Sequence, residues 1–139
     1  MDYNIEIADN PAEVYQFLED KIYQHNASST GKSDGRFFSL VIRDKGSTVI
    51  AGITGWAWAA TSEITYLWVD NAHRNKGLGK QLLAAAEQAL AQWGCKAILI
   101  RSYSFQAPGF YEKEGYNTVF VLEDFPRGYK YYSLLKRMK

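Results

Sequence analysis

A basic, glycine-containing turn between an apolar strand and an amphipathic helix is the stretch of this sequence best suited to bind a ligand. The turn reads Arg74-Asn75-Lys76-Gly77-Leu78-Gly79-Lys80 and follows the strand pattern of residues 63–70. The first amides of a helix have no intrahelical partner and lie at the positive end of its dipole. Glycine has no Cβ, so the backbone can approach a phosphate closely. The turn therefore predicts a site for a phosphate-bearing ligand.

The spacing of the glycines separates this turn from two common phosphate-binding motifs. No Gly-Lys-Ser/Thr ends it, so it is not a Walker A loop. Gly-x-Gly-x-x-Gly is absent as well, which excludes the dinucleotide fingerprint. Taken alone, Arg-x-x-Gly-x-Gly indicates anion binding and no particular chemistry.

The elements around the turn follow from the period of the apolar residues. Gly52 and Gly55 within an apolar strand suggest bulges or the close approach of another group. Asn10-Pro11 is a helix start, and the first helix is expected to fade near residue 25, before a polar loop over 27–35. We expect strands over 3–8, 37–43, 48–58, 63–70, 97–100, 116–122 and 129–135, with helices from Asn10, from Gly77 and over 110–113. This order predicts one α/β domain over residues 1–139, with a mixed sheet and helices on both faces.

Composition narrows the function classes. The chain has 139 residues, a formal net charge of +1, 47% apolar residues and one cysteine, Cys95. The balanced charge argues against nucleic acid or a membrane surface as a partner. No signal peptide or membrane span is apparent, and a single cysteine fits a reducing compartment, so we expect a cytoplasmic protein. No metal site is predicted.

A second motif gives the turn its context. Residues 107–116 read Ala-Pro-Gly-Phe-Tyr-Glu-Lys-Glu-Gly-Tyr. With Leu67-Trp68-Val69 entering the basic turn, this segment resembles the GNAT superfamily of acyl-CoA-dependent N-acetyltransferases, and in particular a group of small bacterial members. Residues 67–116 carry the resemblance, whereas residues 1–60 match only in the type of their elements.

The resemblance implies a cosubstrate and a fold. It implies acetyl-CoA, with no metal, and a mostly antiparallel sheet of about seven strands whose middle strands splay apart to admit the cofactor. Ser104 stands where many members carry an asparagine that contacts the cofactor. The implied cofactor-binding residues are Trp68, Val69, Arg74, Asn75, Lys76, Gly77, Leu78, Gly79, Lys80 and Ser104.

Two residues are candidates for the proton transfers that such a reaction needs. Tyr111 matches the tyrosine that protonates the leaving thiolate in the family, and its alternative role is packing. Glu63, eleven residues before Arg74, stands where some members carry the base. Its alternatives are a solvent-facing strand-end carboxylate or a water relay that takes its place, and Asp70 is a weaker candidate.

The resemblance leaves the acceptor open. We expect direct transfer in a ternary complex to a small-molecule amine, because Trp56, Trp58, Tyr66 and the Phe125-Pro126 loop could enclose a compact pocket. A protein N-terminus or lysine is an alternative acceptor. A non-catalytic acyl-CoA sensor is the alternative outside enzymes, and a homodimer is possible.

Overall fold

The computed structural model describes residues 2–139, which fall into two compact units divided after Ser33. The first unit contains one helix, α1 (Pro11–Thr30). The Asn10 side chain caps this helix by accepting a hydrogen bond from the Glu13 amide at 3.4 Å, and Pro11 occupies its first turn. The helix start predicted from Asn10-Pro11 is therefore confirmed.

Two expectations for this first unit are wrong. Residues 3–8 form no strand, because alternation favours an extended chain but supplies no neighbour to take its hydrogen bonds. The helix also continues to Thr30 instead of fading near residue 25, so the first four residues of the predicted loop over 27–35 are helical. It ends at Gly31, which has the left-handed φ of 71° that glycine adopts at helix ends.

The second unit is a six-stranded sheet with two helices. The order of the strands in the sheet is β1-β2-β3-β4-β6-β5, and every neighbouring pair is antiparallel except β3 and β4. The elements are β1 (Arg36–Arg43), β2 (Val49–Trp58), β3 (Thr61–Val69), α2 (Leu78–Gln92), β4 (Ala97–Tyr103), α3 (Pro108–Lys113), β5 (Asn117–Glu123) and β6 (Lys130–Arg137). The mixed, mostly antiparallel sheet is confirmed, with six strands in place of about seven because residues 3–8 do not contribute.

The two middle strands separate part of the way along their length. β3 and β4 pair in parallel over four positions only, from Thr61 with Ala97 to Ile64 with Ile100. Immediately beyond that point β3 has a bulge, since Thr54 and Gly55 of β2 face Tyr66 and Ile64 and leave Thr65 between them. The expected splay is therefore confirmed. We call the point where the strands part the fork.

The hydrophobic core lies on one face of this sheet. Alternate residues of β2, such as Ala51 and Ile53, are buried against Leu83, Ala86 and Leu90 of α2. The register places Trp56 beside Glu63 and Thr54 beside Tyr66 on the opposite face. The fork therefore opens between a packed face that carries α2 and a face rich in polar and aromatic side chains.

Within residues 2–139, no helix combines the length with the apolar character that crossing a bilayer would require.

Candidate active site

The fork continues into a cleft of about 690 Å³. This volume lies within the range usual for sites that bind small ligands. Three segments line it: β3 beyond the fork, the basic turn with the start of α2, and the end of β4 with the segment into α3. The lining residues are Thr65, Tyr66, Leu67, Trp68, Val69, His73, Arg74, Asn75, Gly77, Leu78, Gly79, Lys80, Arg101, Ser102, Phe105, Gln106, Ala107, Phe110 and Tyr111.

The start of α2 has the features of an anion-binding site. Gly77 precedes the helix with a left-handed φ of 76°, a conformation that glycine adopts without strain, and no side chain caps the first amides. The first turn of α2 contains no acidic residue. A Cβ added at Gly79 would meet only Val69 and Phe110, at 3.8 and 3.9 Å, so the backbone there is open to the cleft. These features fit the pyrophosphate of a coenzyme.

The segment before the turn is held in place by local hydrogen bonds. Asp70 caps a short 3₁₀ turn (Asn71–His73), accepting from the Ala72 amide at 3.1 Å and lying 3.1 Å from His73 Nδ1. The bond with His73 first, and then the one from Ala72, hold the pKa of Asp70 below its ordinary value. Arg74 reaches back through Nε to the carbonyl of Val69 at 3.2 Å. Asp70 therefore has the structural role of a cap.

Tyr111 places a buried hydroxyphenyl group at the cleft wall. Its ring packs edge-on against Phe110 and Tyr116, and the residue is 8% exposed. No hydrogen bond within residues 2–139 uses its hydroxyl, yet that oxygen is not sealed from solvent. Burial raises the pKa of Tyr111 above its ordinary value, so the hydroxyl keeps its proton at neutral pH. A protonated hydroxyl on a residue that lines the cleft is a candidate proton donor.

Glu63 lies just before the fork and is largely enclosed. Its Oε1 accepts a hydrogen bond from the Trp56 indole at 3.2 Å, and its Oε2 lies 3.4 Å from Arg101 Nε. Its side chain is 15% exposed and does not line the cleft, whereas Arg101 does. Any proton that Glu63 takes from the cleft would therefore pass through a water molecule.

The structure brings together most of the residues predicted from sequence. All the predicted cofactor residues line the cleft except Lys76 and Ser104. The Ser104 hydroxyl accepts from the Lys130 amide at 3.1 Å, and its own amide donates to the Lys130 carbonyl at 2.8 Å. These two bonds direct Ser104 toward β6, and the roles of Ser104 and Lys76 stay predictions.

Several residues that line the cleft were not predicted from the sequence. Arg101, Ser102, Phe105 and Gln106 line the cleft because β4 continues to Tyr103 instead of ending at Ile100. The apolar run that defined this strand in the sequence stops at the first charged residue, so the strand was predicted too short. Alternation over Ile98, Ile100 and Ser102, all buried on one face, is the signal that could have extended it.

Comparison with known proteins agrees with the fold and the cleft. Residues 3–116 match the model of the acetyltransferase (GNAT) family, and the chain belongs to that family. Its sequence is 34% identical to that of an acetyltransferase from Bacillus cereus ATCC 14579. The crystal structure of that protein matches this fold with a TM-score of 0.81 over 98% of each chain. A second crystal structure, of an acetyltransferase candidate from Agrobacterium tumefaciens, is 26% identical, with a TM-score of 0.87 over 99% of this chain and 100% of that one.

Among relatives of known name is a blasticidin-S acetyltransferase from Streptomyces morookaense, 36% identical over 90 residues. The match spans 64% of each chain, so a little over a third of that enzyme lies outside it.

Proposed function

We propose that this chain is an N-acetyltransferase that moves the acetyl group of acetyl-CoA directly to a primary amine of a small molecule in a ternary complex. The observation that carries the proposal is that the uncapped start of α2 and Tyr111 border one cleft, which opens at the fork. Family membership over residues 3–116 supports the same reaction class.

The residues of the cleft divide the work along its length. The amides of the turn from Arg74 to Lys80, with the charges of those two residues, hold the pyrophosphate. Backbone amides of β3 between the bulge and Val69 have no β4 partner, so one of them is available to polarise a carbonyl group. Acetyl-CoA supplies the activated acetyl thioester.

The transfer then needs two proton movements. The amine attacks the carbonyl carbon, a C–N bond forms and the C–S bond breaks. Tyr111 gives its proton to the departing thiolate. The proton lost by the amine goes through water to Glu63, which lies behind Arg101 at the fork.

A small acceptor is favoured over a protein for two reasons. The Streptomyces relative is named for blasticidin S and not for a protein acceptor. Aromatic residues that line the cleft, such as Tyr66 and Phe105, could also pack against a compact molecule. A cytoplasmic location remains the expectation for an enzyme that draws on cellular acetyl-CoA.

One pair of measurements tests the proposal. Calorimetry should detect acetyl-CoA and CoA at sub-millimolar concentration, and a thiol reagent should detect CoA release when a panel of primary amines is added. Absence of cofactor binding would contradict the proposal. Tight binding with no release for small amines, peptides with free N-termini or lysine peptides would favour the sensor, and release with peptides alone would favour a protein acceptor.

A further inference from the structure

Arg101 occupies a singular position at the fork. It is the first residue of β4 after the last pair with β3, Ile64 with Ile100. It shares the polar face of the sheet with Glu63, lines the cleft, and is 49% exposed at its side chain. The guanidinium is therefore close to the place where the acceptor must enter, and solvent can reach it.

Most of the hydrogen-bonding capacity of this guanidinium is free. Only Nε has a charged partner, Glu63 at 3.4 Å, and no hydrogen bond within residues 2–139 uses either Nη atom. Arginine is always charged and presents its donors as a planar fork, an arrangement that matches a carboxylate in two parallel bonds. Glu63 fixes one edge of that group, which leaves the other to a ligand.

The charges of the cleft favour the same kind of ligand. Its charged or ionisable lining residues are Tyr66, His73, Arg74, Lys80, Arg101 and Tyr111, and in the described chain no aspartate or glutamate lines it. Arg74 and Lys80 belong to the phosphate-binding turn. Val69, just before that turn, lies five residues from Ile64, or roughly 16 Å along an extended strand. An acceptor with positive charges alone would find no carboxylate on the cleft wall.

We propose that Arg101 determines specificity by binding a carboxylate of the acceptor, so that the acceptors are amino-acid-like molecules with an amine and a carboxylate close together. This inference rests on the proposed function and adds the class of acceptor to it. Glu63 positions Arg101 for this contact, in addition to taking a proton through water.

The test compares matched acceptors. CoA release is measured with amino acids and short aliphatic amino carboxylates, each beside its own carboxamide, which keeps the amine and removes the charge. The wild-type protein should prefer the carboxylate in kcat/KM by about ten- to a hundredfold, the range expected for hydrogen bonds between charged groups. The amine of the carboxamide is less basic than that of the carboxylate, so a larger fraction of it is unprotonated and able to react. Amine reactivity alone would therefore favour the carboxamide, opposite to the expected preference.

Three variants test which residue causes the preference for the carboxylate. Arg101→Gln should bring the ratio close to one without changing the affinity for acetyl-CoA. Glu63→Gln keeps the guanidinium and a side-chain oxygen that can still accept from its Nε, so it should keep the ratio, even where the rate falls. Arg137→Gln removes a guanidinium from the same face of the sheet, four positions further along the paired β4 and β6, and should keep both rate and ratio.

The outcomes separate this inference from the proposed function. Equal use of both members of each pair by the wild-type protein overturns the role of Arg101 but leaves the transferase intact, as does a preference that survives Arg101→Gln. If Arg101→Gln binds acetyl-CoA more weakly and keeps the ratio of carboxylate to carboxamide use, Arg101 contacts the cofactor. That result also overturns its role in acceptor specificity. If no amine is used, the proposed function fails, and calorimetry of the same amino carboxylates on the CoA-loaded protein decides the inference: binding lost in Arg101→Gln supports it, and absence of binding overturns it.

Discussion

The Tyr116 hydroxyl donates a 2.7 Å hydrogen bond to Glu87 Oε2, which ties the segment after α3 to α2. Lys136 of β6 reaches the same carboxylate oxygen at 3.0 Å and the carbonyl of Glu114 at 2.9 Å. Because α3 carries Tyr111 and α2 begins at the turn proposed to bind phosphate, this network fixes the proposed acid relative to the proposed anion site. Its members lie outside the cleft, so it can be tested through stability.

Tyr116→Phe should lower the free energy of unfolding at pH 7 by about 2 kcal/mol, because the bond to the charged Glu87 is lost. Burial first, and then the bond to Glu87, raise the pKa of Tyr116 far above its ordinary value. The stability that this residue contributes is complete below about pH 10, where unfolded tyrosine keeps its proton, and falls as the pH rises further.

Urea unfolding at pH 7 and above pH 10 should show the difference in unfolding free energy between variant and wild type becoming smaller. Tyr132→Phe, whose hydroxyl makes no hydrogen bond within residues 2–139, should show neither effect, and a gap that stays constant with pH would argue against this account.

Tyr111→Phe should lower kcat by about a hundredfold, the lower end of what a general acid contributes, with little change in the affinity for acetyl-CoA. The ring and its contacts with Phe110 and Tyr116 remain, so folding is preserved. Because burial raises the pKa of Tyr111 above its ordinary value of 10.0, no loss of wild-type rate below pH 10 should arise from this group. Steady-state rates and calorimetry check the split, with Tyr132→Phe as control. An unchanged kcat would leave Tyr111 with packing alone.

Gly79→Ala should separate stability from cofactor binding. The new methyl group meets only ordinary contacts at 3.8 and 3.9 Å, and alanine in a helix is favoured over glycine by up to about 1 kcal/mol. The same methyl group lies in the cleft where the phosphate must approach, so acetyl-CoA affinity should fall at least about tenfold. Gly109→Ala in α3 is the matched control, because Gly109 does not line the cleft and its new Cβ would meet open space. Full cofactor affinity in Gly79→Ala would move the phosphate site elsewhere.

Gly55→Ala should destabilise the second unit by about 3 kcal/mol or more. A Cβ there would overlap the carbonyl oxygen of Glu63 and come within 2.8 Å of the Phe38 ring, beside the β3 bulge. Gly52→Ala in the same strand makes only contacts of 3.5 Å, so it should unfold nearly as the wild type does. Thermal and urea unfolding of the two variants check the difference, and equal stabilities would contradict the tight approach seen at Gly55.

The turn from Arg74 to Lys80 and the helix behind it could be predicted because their signals are local. Glycine spacing, basic charge and a helical period are all contained within some twenty residues. Tyr111 could be predicted for a different reason, since its surrounding motif belongs to the family. Gly52 and Gly55 were predicted together to mark bulges or a close approach. The structure shows a close approach at Gly55, to Glu63 and Phe38, whereas Gly52 has only ordinary contacts.

The features that escaped prediction depend on partners distant in sequence. Residues 3–8 have the alternation of a strand, but pairing decides whether an extended segment becomes one. The partnership of Trp56, Glu63 and Arg101 exists only because β2, β3 and β4 lie side by side, and nothing in the spacing of 56, 63 and 101 announces it. Glu63 could therefore be named as a candidate base, but its enclosure behind an arginine could not.

The four-position junction between β3 and β4 also has a consequence for how the chain withstands heat. In the middle of the sheet, β3 and β4 are joined by four pairs, from Thr61 with Ala97 to Ile64 with Ile100. Beyond these pairs, the two strands are connected through any molecule that occupies the fork. A coenzyme bound there adds to the free energy of unfolding by mass action, about 2.7 kcal/mol at a hundred times its dissociation constant. The melting temperature would then follow coenzyme concentration, and the coenzyme-free chain would be the form most open to proteases.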